Sequence, residues 1–316
     1  MALEMDPEVA VAMAPLAEAA VGTTPPPPGD WRTRRAAVDE LISQFTGSWT
    51  TPADVDVTDF AASAADGTPI PLRLYRKAGS APGSLVVYLH GGGMFLCSID
   101  THDPICRSYT AASGVPMLSV DFRFAPEHPF PASVEDCYAA VQWAAANAAD
   151  LGVAPERIAI MGDSAGGGIA AAVALMARDR GGPVLRSQIL VYPMLDDRTT
   201  VSDPAIEPFA MWTTDDNITG WGCLLGDAAG SEQVSSYAAP AREQDVSNLP
   251  PAYIEVGQLD IFRTEDIQYA ERLGRAGVGV ELHVHPGVPH AFEVFAPDSA
   301  VAQRAMADRV RVLRGL

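Results

Sequence analysis

Ser164 is the residue of this sequence best placed to act as a nucleophile. It is the centre of the motif Gly-Asp-Ser-Ala-Gly (162–166), which follows an apolar segment and opens an Ala/Gly-rich segment with a helical pattern (165–180). A serine on so sharp a strand-to-helix turn needs small neighbours, and the turn presents its hydroxyl at the carboxyl edge of a sheet. The helix N-terminus behind it favours developing negative charge. Since Gly and Ser are also common in turns and helix caps, the placement, more than the motif itself, predicts a nucleophile.

Three consecutive glycines (91–93) follow another apolar segment and suit the binding of an oxyanion. Glycines leave backbone N–H groups unobstructed and adopt the dihedral angles that aim two of them at one point. We expect the N–H groups of Gly91, Gly92 and Ala165 to form an oxyanion hole, and His90 to have a structural role. A nucleotide P-loop is disfavoured because no Lys-Ser/Thr pair follows, and a dinucleotide loop because no helix begins here.

A serine at neutral pH needs a base, and the base needs an acid to orient it. Asp260 follows the predicted strand 252–258, and His290 follows the predicted strand 280–286. The chain order Ser164, Asp260, His290 differs from those of chymotrypsin and subtilisin and is the order that accompanies a Gly-x-Ser-x-Gly nucleophile turn. These three side chains are therefore the predicted catalytic residues.

Other acidic residues could take the place of the orienting acid. Asp196 remains an alternative, because it follows the predicted strand 187–193 and an acid in that loop could also reach a histidine. Asp163 is expected to brace the turn beside the serine and not to transfer protons. Asp266 falls in a helical pattern and is expected to be solvated.

Other histidines are weaker candidates for the base. His102 and His128 follow other predicted strands at a distance, and each could line a pocket without acting as a base. His283 and His285 alternate with apolar residues inside the last predicted strand, so we expect both to face outward.

Alternating strands and helices must position these residues. The sequence predicts eight strands: 55–60, 71–76, 84–90, 115–124, 157–162, 187–193, 252–258 and 280–286. Helical patterns lie between most of them, at 104–113, 132–149, 165–180, 264–276 and 298–314. The first two strands alternate and have no helix between them, as an antiparallel edge pair would. The rest predict an α/β fold with a mostly parallel sheet covered on both faces.

Two segments lie outside this alternation and predict a helical cap. Residues 1–50 contain an acidic Ala-rich stretch, a proline run (25–28) and a second helical pattern (32–45). The interval 197–248 has no strand pattern but contains several aromatic residues, and an insertion of this length needs its own packing. Either it covers the carboxyl ends of the strands together with 1–50, or it is a peripheral helical subdomain. In the first case, pocket walls are expected from Trp212 and Trp221.

Charge and composition exclude several classes of protein. The 316 residues include 40 acidic and 21 basic side chains, giving a formal net charge of −19. Such a surface repels phosphate backbones and anionic lipids, which argues against nucleic acid as a partner and against stable membrane association. The hydrophobic fraction of 48% is ample for a folded core.

Cysteine usage and the N-terminal residues favour a cytoplasmic location. The four cysteines have no zinc-type spacing and are too sparse for a disulfide scaffold, so we expect free thiols and no metal. The N-terminal apolar stretch carries acidic residues where a signal peptide is positive, and Pro15 and Glu18 interrupt it. No run approaches the ~18 apolar residues of a membrane helix.

Five motifs together resemble the bacterial hormone-sensitive-lipase-like branch of the α/β-hydrolases. They are HGGGM (90–94), DFRFAPEHPFPASVEDCYAAVQW (121–143), GDSAGGG (162–168), GQLDIFRTED (257–266) and PHAFE (289–293). The resemblance implies an α/β-hydrolase fold, with an eight-stranded mostly parallel sheet flanked by helices and a helical cap. It implies an N-terminal cap segment at 1–50 and a catalytic domain at 51–316 with a cap insertion at about 197–248.

The same resemblance implies a serine carboxylesterase for short- to medium-chain esters that uses no metal or cofactor. Ser164 would be the nucleophile, His290 the base and Asp260 the orienting acid, with Gly91, Gly92 and Ala165 as oxyanion donors. Met94 stands where the family often has an aromatic residue, a difference that would tune the pocket or the core, and Met94 is the third candidate for a pocket wall. The expected partner is a small ester molecule, and because members often dimerise the resemblance leaves a homodimer open.

Two other functions remain open at this point. An amidase or N-deacetylase would use the same three residues, and the sequence offers no feature that separates these reactions from ester hydrolysis. A non-catalytic small-molecule receptor on a hydrolase scaffold, like the plant gibberellin receptors that resemble this family, is expected to lose the catalytic histidine. His290 is present here, which favours the enzyme.

Overall fold

An eight-stranded sheet organises the chain. The computed structural model describes residues 3–47, 49, 51–80 and 83–316. The strands are β1 (Val55–Ser63), β2 (Pro69–Lys77), β3 (Leu85–Leu89), β4 (Met117–Val120), β5 (Ile158–Asp163), β6 (Gln188–Val191), β7 (Ala252–Gly257) and β8 (Val280–His285). Their order across the sheet is β1-β2-β4-β3-β5-β6-β7-β8.

The sheet is parallel except at its first edge. β1 pairs antiparallel with β2, and β2 pairs antiparallel with β4. The remaining neighbours are parallel, so the carboxyl ends of β3 to β8 meet at one edge. The predicted α/β class, the eight strands and the antiparallel pair are confirmed.

Helices flank the sheet and fill the segments that the sequence left outside it. They are α1 (Pro7–Ala20), α2 (Trp31–Gly47), α3 (Asp103–Ser113), α4 (Ala132–Ala146), α5 (Ala165–Asp179), α6 (Thr214–Leu225), α7 (Arg263–Arg275), α8 (Phe292–Phe295) and α9 (Ala300–Arg314). The predicted helices occur within three residues of the expected ends. None of the described helices is both long and apolar enough to cross a membrane.

Small residues allow α5 to lie very close to the central strands. A Cβ atom at Gly162 would lie 2.2 Å from the carbonyl oxygen of Gly166, and one at Gly166 would lie 2.0 Å from that of Leu89. Neither position can carry a side chain, because the obstructing atoms are backbone. The glycines of the serine motif therefore allow the tight passage from β5 into α5.

The edge strand β8 faces opposite to our expectation. His285 is buried and His283 is partly buried, whereas Leu282 and Val284 are 37% and 40% exposed. Asp308 of α9 lies 3.8 Å from His283 Nδ1, and the ring of Phe292 lies 5.5 Å from that of His285. These neighbours cover the histidine side of β8, while its apolar side is left partly open at the edge of the sheet.

The N-terminal helix packs beside the carboxyl edge. Val9 and Met13 of α1 belong to a second apolar cluster that also contains Phe292 and Phe295 of α8. The backbone N–H of Asp6, the N-cap of α1, donates to the carbonyl oxygen of Gly287 at 2.7 Å. α1 is thus tied to the segment between β8 and α8.

Candidate active site

Ser164 occupies a strained turn between β5 and α5. Its φ and ψ are 55° and −121°, a conformation that L-residues rarely adopt and that is characteristic of functional sites. The carbonyl oxygen of Ser164 accepts hydrogen bonds from Gly168 and Met194, which hold the turn. The side chain lies at the N-terminus of α5, as the motif predicts.

Ser164, His290 and Asp260 form a continuous chain of hydrogen bonds. His290 Nε2 lies 2.9 Å from Ser164 Oγ, and His290 Nδ1 lies 2.7 Å from Asp260 Oδ2. Asp260 Oδ1 also accepts the backbone N–H of Phe262 at 3.0 Å, which fixes the carboxylate. All three residues are buried. The loops after β5, β7 and β8 therefore bring the three predicted residues into contact.

The alternative acid, Asp196, lies in a different environment. Both its carboxylate oxygens accept hydrogen bonds from the Arg198 guanidinium at 2.7 Å. Burial alone would raise the pKa of Asp196, but the hydrogen bonds from Arg198 lower it. Its backbone N–H donates to Glu265 Oε1 at 3.0 Å. Asp260, and not Asp196, is the acid in contact with His290.

The glycine loop requires a correction to the predicted oxyanion donors. The N–H of Gly91 donates to Asp163 Oδ2 at 3.1 Å and is not free for a substrate oxygen. Gly92 and Gly93 have φ angles of +120° and +55°, which suit glycine. A Cβ at Gly92 would lie 2.1 Å from the carbonyl oxygen of Leu96. The run of glycines in the sequence could locate this loop, but it could not show that the N–H of Gly91 is bound to the carboxylate of Asp163.

Asp163 holds the glycine loop from behind. Its carboxylate accepts hydrogen bonds from Tyr88 and Gly91, and it lies 3.4 Å from His102 Nε2. Burial would raise the pKa of Asp163, but His102 and Tyr88 more than offset this and lower it. Burial also lowers the pKa of His90 to about 3, so the ring is neutral and its Nδ1 donates to the carbonyl of Gly91. Asp163 thus binds the glycine loop, whereas its expected role was to brace the serine turn, and His90 makes a structural hydrogen bond as expected.

A cavity of about 130 Å³ opens over Ser164 and His290. Of the three predicted wall residues, Trp212 lines it, whereas Met94 and Trp221 do not. Met94 is 2% and Trp221 1% exposed, and both belong to the main apolar core. Met94 and Trp221 were therefore wrong as wall residues. Pattern alone cannot tell which of two aromatic residues in one insertion faces the cavity.

Most of the wall comes from residues that sequence reasoning did not select. They are mainly apolar and come from α2, the loop after β3, α3, the loop before α6 and α8: Val38, Leu41, Ile42, Phe95, Leu96, Ile105, Met211, Val294 and Phe295. The helical pattern at 32–45, in which Leu41 and Ile42 are spaced for one apolar face, was the available signal. His102 also lines the cavity, whereas His128 is exposed.

Two acidic residues of α7 are buried, contrary to the expected solvation of Asp266. Both carboxylate oxygens of Asp266 lack a hydrogen-bond partner among the described residues. Burial, with Glu265 and Asp260 nearby, raises the pKa of Asp266 well above its usual value. Burial also raises the pKa of Glu265 to about 8. The helical pattern was correct, but α7 turns these two residues towards the interior.

One cluster outside the cavity has the residue types of a metal site. Glu281, His283 and Asp308 lie close together on β8 and α9. The guanidinium of Arg311 contacts Glu281 and lies 3.3 Å from Asp308. A fixed positive charge thus already faces these carboxylates, and the cluster is distant in the fold from the strand ends that carry Ser164.

Comparisons with known proteins agree with this architecture. A family model described as alpha/beta hydrolase fold matches residues 86–294. The protein named carboxylesterase NlhH, from Mycobacterium tuberculosis, is 40% identical over 238 residues, which cover 72% of this chain and 73% of that protein. A solved bacterial heroin esterase has a TM-score of 0.90 and 34% identity, covering 98% of this chain and 97% of its own. A hyperthermophilic esterase from the archaeon Pyrobaculum calidifontis has a TM-score of 0.85 and 33% identity, covering 99% of both chains.

The fold and these matches define the class of protein as an α/β-hydrolase. The chain belongs to the bacterial hormone-sensitive-lipase-like family of that class. It is a carboxylic ester hydrolase.

Proposed function

We propose that this esterase hydrolyses small carboxylic esters through an acyl-enzyme on Ser164, with His290 as the base and Asp260 as the orienting acid. The single observation that carries the proposal is the hydrogen-bond chain at 2.9 and 2.7 Å, which ends at the cavity. A hydroxyl, an imidazole and a carboxylate in this order make up the apparatus of serine acyl transfer.

The reaction proceeds by two acyl transfers. Ser164 Oγ attacks the ester carbonyl carbon while His290 Nε2 takes the hydroxyl proton, and the carbonyl oxygen becomes an oxyanion. His290 returns the proton to the leaving alcohol as the carbon–oxygen bond breaks. Water then attacks the acyl-enzyme and gives a proton to His290, which passes it to Ser164 Oγ as the acyl–oxygen bond breaks and the acid is released. Asp260 keeps the imidazole in the required tautomer and stabilises its transient positive charge.

The oxyanion donors that we propose are the N–H groups of Gly92, Gly93 and Ala165. Gly91 is replaced by Gly93 because its N–H is bound to Asp163. Ala165 is the first residue of α5, where backbone N–H groups point away from the helix and favour negative charge.

The size of the cavity supports a short or medium substrate group. Its volume of about 130 Å³ is close to that of an engineered apolar protein cavity of roughly 150 Å³ that binds benzene. A group of about six carbon atoms therefore fits without rearrangement. The apolar wall from α2, α3 and α8 favours an alkyl or aryl group over a charged one.

We propose that residues 1–50 and 197–248 together form the cap over this cavity. α2 supplies part of the wall, and Met211 and Trp212 supply another part. The two segments also contact each other through Arg34. Its Nε donates to Thr219 Oγ1 at 3.2 Å, and its NH1 atom lies 3.3 Å from Asp216 Oδ1. A shared wall and shared polar contacts are what a single cap would require.

Other features support a proposal for the cellular location and the oligomeric state. All four cysteines are free and buried, which supports a reducing compartment such as the cytoplasm. The strongly acidic surface supports a small-molecule substrate and no nucleic-acid partner. The exposed Leu282 and Val284 at the outer edge of the sheet support a homodimer through β8.

A chain-length series tests the proposal. p-Nitrophenyl esters from acetate to decanoate are to be assayed with wild type and Ser164→Ala, with matched p-nitroanilides to detect amidase activity. We expect the highest kcat/KM at about four to six acyl carbons, little anilide cleavage and no measurable turnover by Ser164→Ala. Ester hydrolysis by Ser164→Ala near the wild-type rate would refute the proposal, and faster anilide than ester cleavage would favour the amidase.

A further inference from the structure

Two aromatic rings hold the imidazole of His290 from its sides. The Tyr192 ring lies 4.5 Å from it, centroid to centroid, at an interplanar angle of 62°, and the Phe262 ring lies 5.3 Å away at 83°. Tyr192 directly follows β6 and has a φ of 36°, an uncommon value for a bulky residue. Its backbone N–H donates to the carbonyl oxygen of Glu255 at 2.6 Å. Such strain persists only where surrounding structure enforces it.

The hydroxyl of Tyr192 is anchored in a buried charged group that we call the Arg309 cluster: Arg309, Glu255 and Glu293. Tyr192 donates to Glu293 Oε1 at 2.7 Å, and Arg309 NH1 donates to the same oxygen at 2.6 Å. Arg309 Nε donates to Glu255 Oε1 at 2.8 Å. Arg309 is 1%, Glu255 0% and Glu293 4% exposed, so water contributes little to their solvation.

Neighbouring cationic groups keep Glu255 of the cluster ionised. Burial would raise the pKa of Glu255, but Arg309 and His285 outweigh it and lower this pKa to about 2. The cluster joins Glu255 of β7, Glu293 of α8 and Arg309 of α9. His290 lies two residues before α8, so the cluster fixes both the backbone that follows His290 and the aromatic ring beside it.

Buried ion pairs are costly to desolvate, and apolar residues of similar volume would commonly stabilise a fold as well. None of the three charged side chains lines the cavity. The Tyr192 hydroxyl, which donates to Glu293, connects the cluster to the site, because Tyr192 lines the cavity. The cluster therefore needs a role other than substrate contact.

We propose that Tyr192, anchored through Glu293 to Arg309, is a positioning residue that holds the His290 imidazole in the orientation that joins Asp260 to Ser164. The inference rests on the proposed function, because it assigns His290 the task of moving the serine proton. Loss of the anchor lets the ring of Tyr192 move, and with it the imidazole. Since displacement of a catalytic group by about 1 Å can cost 10²-fold in rate, loss of one anchoring hydrogen bond is expected to cost about tenfold.

Tyr253→Phe is a matched control for Tyr192→Phe. The Tyr253 hydroxyl also donates to the cluster, to Glu255 Oε2, and Tyr253 is equally buried. Its ring packs 5.4 Å from His283, on the edge strand, and not against His290. Both variants lose one buried hydroxyl that donates to a carboxylate of the cluster, but one of them contacts the imidazole.

The experiment compares kcat, KM and the rate of Ser164 labelling by a fluorophosphonate for wild type, Tyr192→Phe, Tyr253→Phe and Glu293→Gln. We expect Tyr192→Phe to lose about tenfold in kcat and in labelling rate, with KM changed less than twofold. Tyr253→Phe should keep the wild-type values, although both melting temperatures fall by a few degrees. The low-field proton resonance of the hydrogen bond between His290 and Asp260 should broaden in Tyr192→Phe alone.

Wild-type kcat in Tyr192→Phe, or an equal loss in both tyrosine variants, would overturn the proposal. If Tyr192→Phe does not fold, Glu293→Gln decides, because it weakens the acceptor of the anchoring hydrogen bond while Tyr192 itself is unchanged. A fall in kcat of several-fold supports the proposal, and wild-type kcat overturns it. Ser164→Ala, assayed in the same experiment, distinguishes failure of the proposed function from failure of the positioning role of Tyr192. Activity in that variant means that the proposed function is wrong, whereas an inactive Ser164→Ala with an unaffected Tyr192→Phe refutes only the positioning role.

Discussion

The glycine loop offers a sharp test of how the oxyanion is held, through the substitution Gly92→Ala. The added methyl group meets two obstacles that can be read from the structure. Gly92 has a φ of +120°, which L-residues rarely adopt, and the new Cβ would lie 2.1 Å from the carbonyl oxygen of Leu96. That oxygen is backbone and is part of a turn in which the Leu96 N–H donates to the Gly92 carbonyl at 3.0 Å. The loop must therefore move, and its N–H groups move with it.

The size of the effect follows from the number of donors displaced. Removing one oxyanion donor typically costs about 10²–10³ in kcat, equivalent to about 2.7–4 kcal/mol. The same substitution also costs stability through backbone strain. Gly114→Ala is the matched control, because Gly114 has a φ of +77° and no heavy atom within 4 Å of the new Cβ. It should lose about 1–2 kcal/mol of stability and no activity.

The assay is hydrolysis of p-nitrophenyl butyrate, with kcat and KM measured separately and thermal unfolding recorded for both variants. We expect Gly92→Ala to lose at least 10² in kcat with a folded near-UV circular dichroism spectrum. A kcat within about threefold of the Gly114→Ala value, at similar stability, would refute the assignment of the loop to the oxyanion.

Three further predictions concern the acid, the cavity and pH. Asp260→Asn should lower kcat by about 10⁴ because the imidazole loses its required tautomer, whereas Asp196→Asn should stay within threefold; the reverse result would transfer the role to Asp196. Trp212→Leu enlarges the cavity, so the ratio of kcat/KM for the octanoate ester to that for the butyrate ester should rise. Burial of each additional methylene contributes ~0.8 kcal/mol, or about fourfold in this ratio. An unchanged ratio would exclude Trp212 from the acyl site. Burial raises the pKa of Glu265 in the folded state to about 8, above its ordinary 4.5. Between these pH values the native state binds this proton more tightly than the unfolded state does. The free energy of unfolding should therefore fall as pH rises from 4.5 to 8, by at most ~1.4 kcal/mol per pH unit. Urea unfolding at several pH values should show this slope reduced in Glu265→Gln, and equal slopes would contradict it.

The sheet was predictable because its strands carry the pattern that their environment demands. β3, β5 and β7 are apolar over nearly their whole length, and the structure buries them. Alternation also identified β8 as a strand, but it cannot say which face is covered. α9 places Asp308 beside His283, so the polar side of β8 is the covered one.

The order of Ser164, Asp260 and His290 could be predicted because each follows a strand whose carboxyl end reaches the same edge. The residues of the cavity wall could not be predicted, because they depend on how helices that are distant in the sequence pack together. Leu41 and Ile42 of α2 face the cavity together with Trp212, while Trp221, nine residues further on, is buried in the core. The donor Gly91 was wrongly assigned because its N–H is bound to the side chain of Asp163, which is 72 residues further along the chain.

The most direct test of the account is covalent labelling with a fluorophosphonate, followed by mass-spectrometric mapping of the modified peptide. We predict one adduct per chain, on Ser164, formed in step with the loss of esterase activity, and no adduct in Ser164→Ala. Full loss of activity with the adduct on another residue, or full esterase activity in a protein that carries the adduct on Ser164, would contradict it.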